Sequence, residues 1–266
     1  MSNSDVSSTK DWMSGIPDDY SLTNLSIPGT HETMSLYGGP PKQCQTMSLS
    51  QQYDAGIRFV DIRCRHYNDE LPIFHDEVPQ QANFSEVLKS TTEFLDLHPT
   101  EVILMRLKEE YKPKDNTQTF AQTVQGYVEH YPRESVYRGE SYPTMKDVRG
   151  KLVILRDYDG PADFGLPYAD LDVEDLWQVP SLFPEDIGRK WNATRDQLET
   201  ASQGPIDTVL YLTYSSGASA FAFPEAIAER INRYLSDFLS RKARWGMVAM
   251  DFPDAALIDK IINSNV

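Results

Sequence analysis

The sequence predicts an α/β fold built on a largely parallel sheet, and three observations carry that reading. Short apolar runs recur along the chain with helical patterns between them, and no fixed-period repeat or low-complexity tract interrupts the rhythm. Most of these runs are apolar throughout rather than alternating, as strands are when helices cover their outer face. The chain has 266 residues, 40% hydrophobic and 24% charged, and one α/β barrel takes roughly 250 residues as a single unit.

Taken in order, the strands are expected at 25–27, 57–63, 71–75, 101–108, 151–156, 207–214 and 247–252. Between them, Asn83-Phe-Ser-Glu86 reads as a capping box opening a helix that runs to about Leu97. Pro224 stands where the first turn of an amphipathic helix toward Lys242 would begin.

Chemically able side chains sit at the ends of these runs. His31 follows the first, Arg63 ends the second and His75 the third. Lys108 ends the fourth, Arg156 the next, and Asp251 nearly closes the last. In parallel barrels the active site gathers at the carboxyl ends of the strands, so six such residues predict a site there. Pro28 and Gly29 are expected to make a sharp exit from the first strand and so to aim His31. Two imidazoles titrating near neutrality can act as general base and general acid in one turnover. The remaining histidines, His66, His98 and His130, lie in polar or helix-end settings that read as surface positions. No HExxH or HxH pattern supports a zinc centre.

Composition narrows the partners. A net charge of −15, from 40 acids against 25 bases, argues against nucleic acid and against strong attachment to an anionic bilayer. Membrane contact is then left to apolar side chains. No run approaches the roughly 20 apolar residues of a membrane span, and the start, MSNSDVSSTKDW, lacks the apolar core of a signal peptide. The expectation is a soluble chain, either cytoplasmic or the mature form of a secreted protein. Two cysteines, Cys44 and Cys64, exclude a disulfide framework and argue against a thiolate metal site. A single bridge and two buried free thiols both stay open.

The runs LSIPGTHETM, GIRFVDIRCR, LPIFHDE, EVILMRLKEEY, GKLVILRDY and WGMVAMDF, in that order, resemble the successive motifs of bacterial-type phosphatidylinositol-specific phospholipases C, the metal-independent enzymes with a PLC-X domain. The resemblance implies a distorted (β/α)8 TIM-like barrel, one catalytic domain over 1–266 with its core at about 12–264, and a monomer. It implies cleavage of phosphatidylinositol in membranes or micelles by attack of the inositol 2-hydroxyl on its own phosphate. The products would be inositol 1,2-cyclic phosphate and diacylglycerol, with slow hydrolysis to inositol 1-phosphate.

By position in those motifs, His31 would be the base, His75 the acid and Asp251 the carboxylate orienting His31. Arg63 would meet the phosphoryl charge. Calcium-dependent relatives carry an acidic ligand at that place, so neither metal nor other cofactor is expected. Glu32 departs from the family's usual Asp, which supports the acid histidine, and its extra methylene moves the carboxylate by about a bond length. Asp76 is the alternative support.

Lys108, Arg156 and Asp175 match positions that bind inositol hydroxyls, and Trp177 matches an aromatic that stacks under the ring. Phe221 and Phe223 lie where the family has a lipid-touching rim loop. Two alternatives stand beside this reading. A glycerophosphodiester phosphodiesterase-like enzyme would need metal-binding carboxylates and an HRG start, and a non-catalytic phosphoinositide-binding protein of the same fold finds some footing in Glu32.

Overall fold

Residues 9–265 are described by the computed structural model. The reading of the chain's start rests mostly on residues 1–8, which lie outside the described residues. The strands are β1 (Ser26–Thr30), β2 (Phe59–Cys64), β3 (Pro72–His75), β4 (Val78–Asn83), β5 (Ile103–Glu109), β6 (Leu152–Asp157), β7 (Leu166–Pro167), β8 (Asp172–Glu174), β9 (Tyr211–Tyr214) and β10 (Gly246–Met250). The helices are α1 (Leu49–Asp54), α2 (Phe84–Leu97), α3 (Phe120–Val128), α4 (Met145–Val148), α5 (Pro184–Gln203), α6 (Pro224–Phe238) and α7 (Ala255–Ile262).

Eight strands form one curled parallel path in the order β7-β6-β5-β2-β1-β10-β9-β8. No pairing among the described residues joins β7 to β8, so the barrel is open at that seam. This is the distorted barrel the motifs implied. The run at 71–75 is not one of its staves. β3 runs antiparallel to β2 through Cys64 and Ile73 and pairs with β4 as a hairpin. The chain therefore overshoots beyond Cys64 and returns with His75 near the level of Arg63.

Alternation along the strands divides the apolar side chains into two cores. Val60, Ile62, Met105, Leu107, Ile154, Val248 and Met250 pack outward with the helices. Phe59, Leu104, Val153, Leu155, Leu212, Met247 and Ala249 pack together inside the curl, with Trp12, Met13 and Leu25 closing its lower end. This period of two decides which charged residues reach the interior.

Pro28 and Gly29 do not form an exit. β1 continues through both and pairs with β10 from Ser26–Gly246 to Thr30–Met250. Gly29 is needed because a Cβ there would lie 2.6 Å from the Phe59 ring and 3.0 Å from its carbonyl oxygen. The turn follows at 31–34.

α2 begins on the Asn83–Glu86 capping box and ends at Leu97, as its sequence predicts. α6 ends at Phe238, short of Lys242. α5 was not foreseen, because its buried stripe of Ile187, Lys190, Thr194, Leu198 and Ala201 carries a lysine and a threonine where a hydrophobic period would show apolar residues. Both cysteines are buried and free. No helix among the described residues is long and apolar enough to cross a membrane.

Candidate active site

The register that pairs Thr30 with Met250 sets the next residues, His31 and Asp251, side by side at the carboxyl ends of β1 and β10. His31 Nδ1 lies 2.8 Å from Asp251 Oδ1. An ionised carboxylate only accepts, so Nδ1 carries the hydrogen and Nε2 keeps its lone pair. Burial would lower the pKa of His31, but Asp251 outweighs it and the net shift is upward. The Tyr214 ring meets the imidazole edge-on at 5.8 Å. Gln45 Nε2 donates to the carbonyls of His31 and Met250 and ties the two strand ends together.

Arg63 enters the interior from β2. Its Nη2 and Nε donate to the two oxygens of Asp61 at 2.8 and 3.3 Å. Its Nη1 lies 2.8 Å from Glu32 Oε1 and 3.9 Å from Glu110 Oε2. Asp61 also accepts from Arg106 Nη1 at 3.3 Å. Arg106 is further held by Asp157 at 2.7 Å and by the Tyr214 hydroxyl at 2.9 Å, and it sits 4.4 Å over the Tyr168 ring. Burial alone would raise the Asp61 carboxyl, but the two guanidiniums overcome it and hold it well below the usual carboxylate range. Burial likewise opposes the charge on Arg63, which its carboxylates more than restore. The guanidinium is thus fixed in charge and in plane, with donors left over for a ligand.

Glu32 occupies the turn after β1 with a left-handed backbone, φ 42°. Its own amide donates to Asp61. Burial pushes its carboxyl up, against the pull of Arg63 and His75. The contact with Arg63 is close but poorly aligned, and Oε1 has no hydrogen bond. The buried carboxyl is therefore ion-paired with Arg63 without a well-aligned hydrogen bond at Oε1.

His75 is held by its far nitrogen. Nδ1 lies 2.8 Å from the Lys42 carbonyl and 2.9 Å from Ser35 Oγ, and the carbonyl fixes the hydrogen on Nδ1. Nε2 faces the site, with Glu32 Oε1 at 3.8 Å and Asp76 Oδ2 at 4.0 Å. The support expected from Glu32 is therefore redistributed. Glu32 leans on Arg63, a backbone carbonyl orients the ring, and Asp76 is tied to Lys42.

These groups line one cavity of about 550 Å³ at the barrel mouth, with His31, Arg63, His75, Arg106, Lys108, Asp175 and Trp177 in its wall. Lys108 Nζ is paired with Glu110 at 3.1 Å. Trp177 is 54% exposed, so it is a rim residue and not a core aromatic. Arg156 is not brought to the others. It shares the outward face of β6 with Leu152 and Ile154, while Asp157 takes the interior position. Arg156 lines a separate cavity of about 480 Å³ with Arg133 and Arg138.

Sequence reasoning missed Asp61, Arg106, Asp157, Tyr214 and Glu110. The signal was present, since Asp61 with Arg63, and Arg106 with Lys108, are charges two apart inside apolar runs, and that spacing puts both on one strand face. His66 departs from its surface reading. It is buried and pairs with Thr123 at 2.8 Å.

The rim is aromatic. Phe221 is 85% exposed, Phe223 lines the cavity, and Phe183, which sequence reasoning passed over, is 73% exposed at the start of α5. Val179 donates to the Ala218 carbonyl, and Ala218 donates to that of Trp177, so the two rim loops are tied together.

Fold and site together define a parallel α/β barrel with acid–base groups and a fixed cation at the carboxyl mouth of its strands. A family model described as phosphatidylinositol-specific phospholipase C, X domain, matches residues 19–158. The chain is 34% identical over 285 residues to the 1-phosphatidylinositol phosphodiesterase of Listeria monocytogenes, covering 97% of this chain and 85% of that protein. It is 26% identical to the protein of the same name from Staphylococcus aureus strain Newman, covering 97% and 95%. The solved phosphatidylinositol-specific phospholipase C from Listeria monocytogenes matches with a TM-score of 0.82 at 32% identity, covering 97% of this chain and 99% of that one. The chain belongs to the phosphatidylinositol-specific phospholipase C X-domain family.

Proposed function

We propose that this chain is a phosphatidylinositol-specific phospholipase C that needs no metal ion. One observation supports it above the rest: two imidazoles, each pinned through Nδ1, share a cavity with a guanidinium held in plane by Asp61.

In the first step, His31 Nε2 takes the proton of the inositol 2-hydroxyl. That oxygen attacks the adjacent phosphorus as the bond to the glycerol oxygen breaks, and His75 Nε2–H protonates the leaving oxygen. Arg63 donates to the phosphoryl oxygens as their charge grows, from a position that requires no reorganisation. Asp251 holds the charged His31 in place. In the second step the roles reverse. His75 takes a proton from water, water attacks the cyclic phosphate, and His31 returns its proton to the 2-oxygen.

Lys108, Asp175 and Trp177 would hold the inositol ring, and Phe221, Phe223 and Phe183 would dip into the lipid surface. Arg156, on the outer face, takes no part. Phosphorus NMR of phosphatidylinositol micelles in excess EDTA tests the reading. A cyclic phosphate resonance that rises first and later gives way to the monoester is expected. Monoester without the cyclic species, or activity only after a divalent ion is restored, would refute it.

A further inference from the structure

We propose that the wall of this cavity also forms an inhibitory site for a soft divalent cation of the zinc class, held by Cys44, Asp251 and His31. Donor atoms of these three residues lie within 4.8 Å of one another. A tetrahedral zinc site needs separations of roughly 3.5 Å, a difference small side-chain rotations close. Cys44 and Asp251 are buried, and both Cys44 and His31 line the cavity through which an ion would enter.

Two donors are underused. Asp251 spends Oδ1 on His31, while Oδ2 is buried with no hydrogen-bond partner. Cys44 Sγ, a weak hydrogen-bonding group, makes a long 3.5 Å contact with the Lys42 carbonyl and a contact with the Ser35 side chain. A divalent ion bound by one carboxylate, one thiolate and one neutral imidazole gives a neutral cluster, which suits a buried position. A thiol gives up its proton to coordinate the ion, so binding expels one proton to solvent. The thiolate selects zinc or cadmium over calcium or magnesium.

Inhibition rests on the reading of His31 as the base, whereas binding does not. Through Nε2 the ion takes the lone pair that receives the substrate proton. Through Nδ1 it displaces the hydrogen bond to Asp251.

The test titrates the whole chain with cadmium and zinc. Cadmium–thiolate charge-transfer absorption and competition with a chromogenic zinc chelator are read first, and turnover is read separately. The proposal expects a band of one thiolate per chain that vanishes in Cys44→Ser although Cys64 remains. Zinc affinity should fall at least about tenfold, the lower bound even for outer-shell partners. Asp251→Asn, which keeps the thiol, should also weaken zinc binding. Inhibition, relative to each protein's own metal-free rate, should follow affinity, and calcium at equal concentration should neither bind nor inhibit.

A band that persists in Cys44→Ser, no band in the parent chain, or equal zinc inhibition of parent and variant would overturn it. A Cys44-dependent band in a chain without cyclising activity would uphold the metal site and reject the role of His31 instead.

Discussion

In the proposed mechanism His31 acts as a base only while neutral, and the carboxylate that aims it also governs when it is neutral. Burial and Arg63 both favour the uncharged ring, and Asp251 overrides them to raise its pKa. In Asp251→Asn that opposition is gone. The acidic limb of kcat/KM should move to lower pH, while the plateau falls by about 10²-fold or more as the imidazole loses its orientation. A pH–rate profile of the variant checks both, and an unmoved limb would mean Asp251 does not touch the essential base. The stability linkage has the same origin. A raised histidine pKa adds stability below its unfolded value, and that stability is lost as pH rises through the folded value. The positions of His31, Arg63 and His75 were legible from their motifs, in that all three reach one cavity. Arg156, expected at the site both from its place at the end of an apolar run and from its motif, lies on the outward face instead, because alternation along β6 gives the interior to its neighbours. Asp157, one step further, is the interior residue that holds Arg106.

At the scale of elements, the dyad is a product of strand register. β1 lies between β2 and β10, and its approach to β2 depends on a residue without Cβ at position 29. Gly29→Ala would drive a methyl group against the Phe59 ring and backbone, an overpacking that costs about 1–3 kcal/mol. The denaturant midpoint should fall accordingly, and because His31 and Asp251 would separate, kcat should fall further than partial unfolding explains. A stable variant of unchanged rate would show that β1 is not held by that contact. Strand positions were readable from apolar runs and α2 from its capping box. The direction of β3 was not, since an antiparallel return and a parallel stave carry the same local pattern. β7 and β8 span two and three residues, below any period a sequence can display.

The whole molecule combines a charge of −15 with an aromatic rim around the cavity mouth. For the proposed contact with lipid, that pairing favours ring insertion over electrostatic capture. Fully burying a Phe side chain is worth about 1.5–3 kcal/mol. Phe221→Ala should weaken binding to neutral vesicles about tenfold or more in a sedimentation assay. Hydrolysis of soluble inositol 1,2-cyclic phosphate should hold, because Phe221 is absent from the cavity wall. Equal vesicle affinity in parent and variant would remove this ring from the docking surface. Among the described residues the barrel is open between β7 and β8. Closure depends on pairings between distant segments that no local pattern records, whereas membership of the family was readable from six motifs in order.

In the proposed mechanism the Arg63 guanidinium, locked by Asp61, does the electrostatic work a divalent ion would otherwise do at the phosphoryl group. Single-turnover cleavage of phosphatidylinositol by Arg63→Ala, with EDTA and then with saturating calcium, tests it most directly. Losing this group should cost at least about 10²–10³-fold, as for other preorganised charge-stabilising donors, and calcium should restore none of it. A variant that keeps most of its rate, or recovers it when calcium is added, would contradict the account.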